Sequence, residues 1–414
     1  MHAAHELVGR RARLGPPLVR RRVHASQGTA HEPGRNDDQH DQDEQLPHRA
    51  VIIIAKMKIR ALEALLGAAY GTPRRDAVWP PRKILLIRRN GIGDMICALP
   101  LARRLRAGFP AARIDMLASE RNAAILQDLT VVDRVLVYRR GRGLLRNHYL
   151  SLRRFMAPVR AERYDLVVAI TGAFSKLVAV ITYATGVARR IGFVPARAHA
   201  LDFCYSEPVA QPAAREHQIE RCLRLAEPLG IAPVDVDVSF ALRPEHCRWA
   251  DEALAGQRLA AGRFVLYNAS ATRAESSWGA AVIAETARAL GARHGLATLA
   301  CGLPQDAPLL AATGLAHVVT PNVHQFAALV RRSLFLMCSD GGAMHVAAAM
   351  DTPAFVLFAT AEPDIWRPWG VPFAYVRSGS RVADITVESV LERLSEWLPA
   401  LPAQSKRIGR GERI

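Results

Sequence analysis

The residues of this chain best placed to do chemistry lie in two short glycine-containing turns. One is Asp340-Gly341-Gly342-Ala343-Met344-His345, which follows the apolar run Leu334-Phe335-Leu336-Met337-Cys338 and leads into the helix-forming run Val346-Ala347-Ala348-Ala349-Met350. Such a strand-to-helix junction suits an anion. Paired glycines let the backbone approach a ligand closely, and the free N–H groups and dipole of the new helix favour a phosphate. His345 falls in the first helical turn, where its imidazole adds a donor. The plainer reading is a turn holding a satisfied histidine, and the residues alone leave both open. Asp340, at the strand end, is read as orienting the turn.

The other turn is Arg88-Arg89-Asn90-Gly91-Ile92-Gly93-Asp94, between the apolar run Ile84-Leu85-Leu86-Ile87 and an amphipathic segment from Met95 to Phe109. It repeats the pattern of strand, glycine turn and helix, but Ile96 stands where a dinucleotide fingerprint needs its third glycine. A carboxylate here also competes with phosphate for the helix N-terminus. Asp94 is therefore read either as a helix-capping residue or as a general base facing a cleft.

The elements that position these turns alternate in type. Strand-like runs at Lys83–Arg88, Arg113–Leu117, Val135–Tyr138, Asp165–Ile170 and Arg190–Phe193 are separated by helix-like segments. Pro and charged residues then thicken from Glu207 through Pro244, and a second alternating series follows at Phe264–Tyr267, Ala297–Ala300, His317–Val319, Leu334–Cys338 and Pro353–Phe358. The pattern predicts an α/β fold of two parallel-sheet domains, with both glycine turns facing a shared crevice beyond the strand ends. The expected division is an N-terminal extension over 1–56, one domain over 57–230, a linker over 231–262, a second domain over 263–385, and a C-terminal helix with a basic tail over 386–414.

Composition narrows the class. The chain has 414 residues, half of them hydrophobic, enough for two ordinary cores. Lys and Arg number 55 against 38 Asp and Glu, a net charge of +17 that points to acidic partners such as nucleic acid, anionic lipid or a phosphorylated sugar. Cys97, Cys204, Cys222, Cys247, Cys301 and Cys338 lack metal-type spacing and read as reduced, partly buried thiols of a cytosolic protein. The densest basic run comprises Arg139, Arg140, Arg142, Arg146, Arg153, Arg154, Arg160 and Arg163, with Glu162 among them. Leu144, Leu145, Tyr149, Leu150, Leu152, Phe155 and Met156 are interspersed, a surface suited to an anionic acceptor or a membrane face, or else a solvated helix. Residues 1–56 lack both periodicity and a secretory apolar core and are expected to be disordered. The amphipathic start Met57-Lys58-Ile59-Arg60 marks the expected beginning of the natural protein. Leu166 to Ala188 has the length of a membrane span, but Thr171-Gly172 and Lys176 divide it into a strand and a helix over Ser175–Thr185.

Taken together, these stretches resemble glycosyltransferase family 9, the lipopolysaccharide heptosyltransferases. The resemblance rests on Ile84 to Pro100, on Arg163-Tyr164-Asp165-Leu166-Val167-Val168, on Arg190-Ile191-Gly192-Phe193, on Asp340 through Ala348, and on Phe358 through Trp366-Arg367-Pro368-Trp369-Gly370. It implies a GT-B architecture, two Rossmann-like domains across a cleft, with the last helical segment, Val387 to Leu398, near the hinge. The C-terminal domain would hold an ADP-activated heptose, with Asp340, Gly341, Gly342, Ala343 and His345 at the donor. The N-terminal domain would hold an anionic glycolipid or core oligosaccharide, with Asn90, Gly91, Gly93, Arg139, Arg140, Arg142 and Arg146 at the acceptor. Asp94 carries over as the base of an inverting transfer, with no cofactor and no metal, at the cytoplasmic face of the inner membrane. One departure stands out. In the segment from Asn268 to Trp278, Ser276 replaces the family's usual lysine just before the tryptophan, leaving Thr272 and Arg273 to face the donor diphosphate.

Three functions therefore compete: heptose transfer from ADP-heptose, or transfer from another nucleotide sugar; a catalytically weak sugar-nucleotide-binding or scaffold protein of an envelope assembly; and nucleic-acid binding. The last rests on charge alone, since no recognition-helix, RNP-like or zinc motif is present.

Overall fold

The computed structural model describes residues 57–138, 145–212, 215–271 and 276–401, with the backbone alone for 145–150. Two six-stranded parallel sheets organise it. The first contains β1 (Lys83–Ile87), β2 (Arg113–Ala118), β3 (Arg134–Val137), β4 (Leu166–Ala169), β5 (Arg189–Val194) and β6 (Glu207–Ala210), in the order β3-β2-β1-β4-β5-β6. The second contains β7 (Phe264–Asn268), β8 (Ala297–Gly302), β9 (His317–Val319), β10 (Phe335–Ser339), β11 (Ala354–Phe358) and β12 (Phe373–Arg377), in the order β12-β11-β10-β7-β8-β9. Both follow the doubly wound order, so each has a switch point beside its first strand: between β1 and β4, and between β7 and β10. Ile84 to Ile87 and Phe335 to Cys338 are wholly buried because helices cover both sheet faces, which is why these strands read as continuous apolar runs. Each such Leu or Ile contributes about 1.5–3 kcal/mol by leaving water.

The helices are α1 over 57–70, α2 (Ile92–Gly108), α3 (Leu145–Ala161), α4 (Lys176–Ala184), α5 (Gln218–Arg224), α6 (Pro244–Gly256), α7 (Ala280–His294), α8 (Ala307–Ala312), α9 (Val323–Arg332), α10 (Gly342–Ala349), α11 (Pro363–Trp366) and α12 (Val387–Trp397). The ten expected strands are present within a residue or two. Two edge strands were not anticipated. Glu207–Ala210 pairs with β5 although its Pro208 and Glu207 read as the start of a linker, and Phe373–Arg377 pairs with β11 while only half-buried. Edge strands tolerate proline and charge because one row of backbone groups has no partner to lose. The 231–262 stretch likewise contains α6, packed near α9.

Three further expectations change. α2 begins at Ile92 and is buried along most of its length, not amphipathic, because the first sheet, α5 and α10 enclose it. In α3, Leu152 and Met156 are buried in the first domain's core with Phe155 against them, so these apolar residues face protein and not a membrane. Arg160 of the same helix donates to the carbonyls of Gly71, Thr72 and Ala184, and Glu162 pairs with Lys83, Arg113 and Arg134, which leaves Arg153, Arg154 and Arg163 as the exposed cations of the run among the described residues. α12 lays Val390, Leu391, Leu394 and Trp397 into the core beneath the second sheet, beside Phe335 and Phe355. Residues 166–188 form β4 and α4 as expected, and no described helix is long and apolar enough to cross a membrane.

Candidate active site

Arg88, the first residue after β1, organises the glycine turn that follows. Its side chain is fully buried, a costly place for a charge unless every donor is used. Nη2 donates to Asp94 Oδ1 at 2.6 Å, Nε to the Asp94 carbonyl at 2.9 Å, and Nη1 to the Ile170 carbonyl at the end of β4 at 2.8 Å. The guanidinium thus spans the switch point of the first sheet. Asp94 Oδ2 accepts from the Gly91 N–H at 3.1 Å, so the residue does cap α2, yet its side chain remains about a quarter exposed. Asn122 holds the loop from behind, donating to the carbonyls of Arg88 and Asn90. Asn90 is exposed, Gly91 half-buried, and Gly93 closed over.

What closes Gly93 is His345. A Cβ on Gly93 would stand 2.4 Å from His345 Cδ2, and one on Gly342 would stand 3.5 Å from the Gly93 nitrogen. The N-termini of α2 and α10 therefore abut, bringing the two glycine turns together although they are some 250 residues apart. His345 is buried, and desolvation, reinforced by His217 and Arg88, pushes its imidazole down to about 3, so it is neutral. Its Nδ1 lies 3.5 Å from Cys97 Sγ, and Trp366 meets the ring edge-on. Gly341, Gly342 and Ala343 are half-buried; Gly341 is extended, and a Cβ there would meet nothing within 4 Å, which leaves the backbone N–H groups of α10 room for a ligand.

Asp340 is inward-facing. Oδ1 accepts from Ser276 Oγ at 3.0 Å and Oδ2 from the Ala361 N–H at 3.0 Å, tying together the loops that follow β7, β10 and β11. Ser276 is itself buried, and its carbonyl accepts from Ser339 Oγ. The serine in place of lysine is thus a tether for Asp340, not an open position facing a donor. Thr272, Arg273, Arg139, Arg140 and Arg142 lie outside the described residues, as does the side chain of Arg146. Among the described residues no three His, Cys, Asp or Glu side chains converge as a metal site would require.

Several participants were missed. Arg88 carried a signal, a cation at the very end of an apolar strand. His217 carried none: as the N-cap of α5 it accepts from the Ile219 N–H through Nδ1, which leaves Nε2–H to donate to the Arg367 carbonyl at 2.8 Å, while its ring packs 4.7 Å from Trp369. Thr171 Oγ1 and Gln218 Oε1, buried near the end of β4, have no hydrogen-bond partner among the described residues.

Two doubly wound domains with apposed glycine turns, one carrying a carboxylate and the other opening a helix N-terminus, form the GT-B architecture of a class of glycosyltransferases. Residues 152–392 match the model of glycosyltransferase family 9 (heptosyltransferase), and the chain belongs to that family. It is 24% identical over 331 residues to lipopolysaccharide heptosyltransferase 3 of Escherichia coli K12, covering 75% of this chain and 92% of that one, and 23% identical to lipopolysaccharide heptosyltransferase 1 of the same strain, covering 76% and 99%. Among solved structures, a family 9 glycosyltransferase from Veillonella parvula superposes with a TM-score of 0.66 at 17% identity, covering 77% of this chain and 97% of that one. The E. coli heptosyltransferase WaaC with ADP gives 0.60 at 19%, covering 77% and 99%.

Proposed function

We propose that the protein transfers a heptose from ADP-heptose to an anionic lipopolysaccharide-core or related glycan acceptor, with inversion and without a metal. The observation that carries this reading is the apposition of Asp94 with the N-terminus of α10. Asp94 accepts the proton of the attacking acceptor hydroxyl as its oxygen bonds to the anomeric carbon. The bond from that carbon to the diphosphate breaks on the opposite face, and ADP leaves with the electron pair. Negative charge grows on the diphosphate, where the N–H groups of Gly342 and Ala343, the dipole of α10 and His345 provide fixed donors. Arg88 holds Asp94 in place, donating to its carboxylate and to its carbonyl, while a third donor anchors the guanidinium on the Ile170 carbonyl. The relatives are named as lipopolysaccharide heptosyltransferases, and a neighbour of the same fold was solved with ADP-2-deoxy-2-fluoro heptose, which supports both the donor and the acceptor class. Exposed Arg153 and Arg154 and the net charge of +17 favour an anionic acceptor presented at the cytoplasmic face of a membrane.

Calorimetric titration of the full chain with ADP, UDP and GDP, then with ADP-heptose, tests the donor. Selective ADP binding that tightens when the heptose is attached supports the reading. Preference for UDP or GDP keeps the fold and refutes the donor, and binding without transfer to any glycolipid acceptor favours a sugar-nucleotide-binding scaffold.

A further inference from the structure

Cys97 has no part in the chemistry above, yet it is wholly buried one helical turn beyond Gly93, on the same face of α2. The His345 ring lies along that face. Its Cδ2 sits against Gly93, 2.4 Å from where a Cβ would be, with Cγ and Nε2 on either side at 3.2 Å, while Nδ1 meets Cys97 Sγ at 3.5 Å. Nδ1 is therefore engaged by a thiol, while the carbon beside Nε2 packs on the turn that ends in Asp94.

We propose that Cys97 is a positioning residue whose S–H donates to Nδ1 of His345, fixing the imidazole as its Nε2–H form and aiming that N–H at the departing diphosphate. This rests on the reading that α10 holds the diphosphate. A thiolate–imidazolium pair is excluded by the surroundings. Burial holds the thiol well above its ordinary value, with Cys222 and Asp94 adding to the rise and Arg88 opposing it, and burial holds the imidazole down, with His217 and Arg88 adding to the fall. With both groups neutral there is one proton on sulfur and one on the ring. An imidazole nitrogen is a good acceptor and a thiol sulfur a poor one, so the S–H···Nδ1 arrangement wins and the ring proton goes to Nε2. The reverse arrangement would bury an Nδ1–H against sulfur and present a bare lone pair to an anion.

The test is the tautomer of His345 in the ligand-free full chain, read from long-range ¹H–¹⁵N correlations of ¹⁵N-histidine-labelled protein near pH 7.5, with the signal assigned by its loss in His345→Gln. The expected spectrum is that of Nε2–H. Cys97→Ala should shift it toward Nδ1–H or a mixture and lower kcat about tenfold at nearly constant KM, while Cys97→Ser, which retains a donor, should restore both. An Nδ1–H signal in the wild type, or an Nε2–H signal unchanged in Cys97→Ala, overturns the proposal. Because the spectrum is taken without ligand, a Cys97-dependent tautomer in a protein that never binds ADP supports the thiol's hold on the ring and overturns the diphosphate reading separately.

Discussion

Gly93→Ala isolates the contact on which the site depends. Gly93 is not among the glycines with positive φ, so its backbone accepts alanine, and in a compatible helical position that exchange stabilises a protein by about 0.4–1 kcal/mol. Here the new methyl would stand 2.4 Å from His345 Cδ2 and 3.2 Å from its Cγ and Nε2, so ring or helix must retreat by about 1 Å to reach van der Waals contact. The ring has little freedom to swing, being held by Cys97 at Nδ1 and flanked by Trp366. Overpacking of this kind costs about 1–3 kcal/mol, so the expected net loss is about 1–2 kcal/mol. A displacement of about 1 Å between the catalytic turn and α10 should also lower kcat by up to about 100-fold.

The decisive comparison is the same substitution in a His345→Ala background, followed by urea unfolding with tryptophan fluorescence. With the imidazole gone the clash is gone, and Gly93→Ala should become neutral or stabilising at an unchanged m-value. If it is equally destabilising in both backgrounds, the loss arises within α2, and the abutment of the two turns is not what requires glycine.

Three other outcomes follow from the same geometry. Asp94→Asn should cut kcat by about 10²–10⁴ with ADP affinity preserved, because it keeps the shape and one acceptor oxygen, enough for Arg88 or Gly91 but not both, and no longer takes a proton; parallel loss of rate and ADP binding would make Asp94 structural. Ser276→Ala should cost about 1–2 kcal/mol through the lost bond to Asp340, and Ser276→Lys should destabilise further without tightening ADP, whereas a gain in ADP affinity would refute the tether. Stability should fall as pH drops below about 6.5, at up to about 1.4 kcal/mol per pH unit for each proton, because the unfolded chain takes up a proton that His345 refuses until about 3. His217 and His324, also pushed down by burial, act in the same direction. His345→Gln should reduce that slope by about one proton in urea titrations between pH 6.5 and 4, and an unchanged slope would place the burial penalty elsewhere.

Whether a feature was legible in the sequence depended on whether its cause was local. The runs at Ile84–Ile87 and Leu334–Cys338 declared themselves because a strand buried on both faces must be apolar throughout, and glycine at a switch point must follow them. β6 and β12 were not legible, since a half-buried edge strand obeys neither constraint. In α3 the apolar period was visible, but a helix facing a core and one facing a lipid surface share it, and only the packing of Leu152 and Met156 decides. The site divides in the same way. Asp94 and Asp340 through His345 stood out from their own turns. The role of Cys97 came from a partner 248 positions away, that of His217 from one 150 positions away, and the burial of Ser276 from Asp340, 64 positions on.

Those distant contacts change the chemistry as well as the geometry. A histidine in an exposed first helical turn would titrate near neutrality and greet a diphosphate as a cation on some molecules and not on others. Pressed against Gly93 and Cys97 it stays neutral down to about 3, so in the proposed reaction its contribution to the diphosphate is a single N–H donor. In the proposed reaction the favourable charge for the diphosphate then comes from the N-terminus of α10. Asp94, by contrast, is held by buried Arg88 and by the Gly91 N–H of its own turn. Two turns that look alike in sequence are thereby given different partners, a buried arginine in one and a buried neutral histidine in the other, a difference that suits the proposed roles of proton acceptor and anion site.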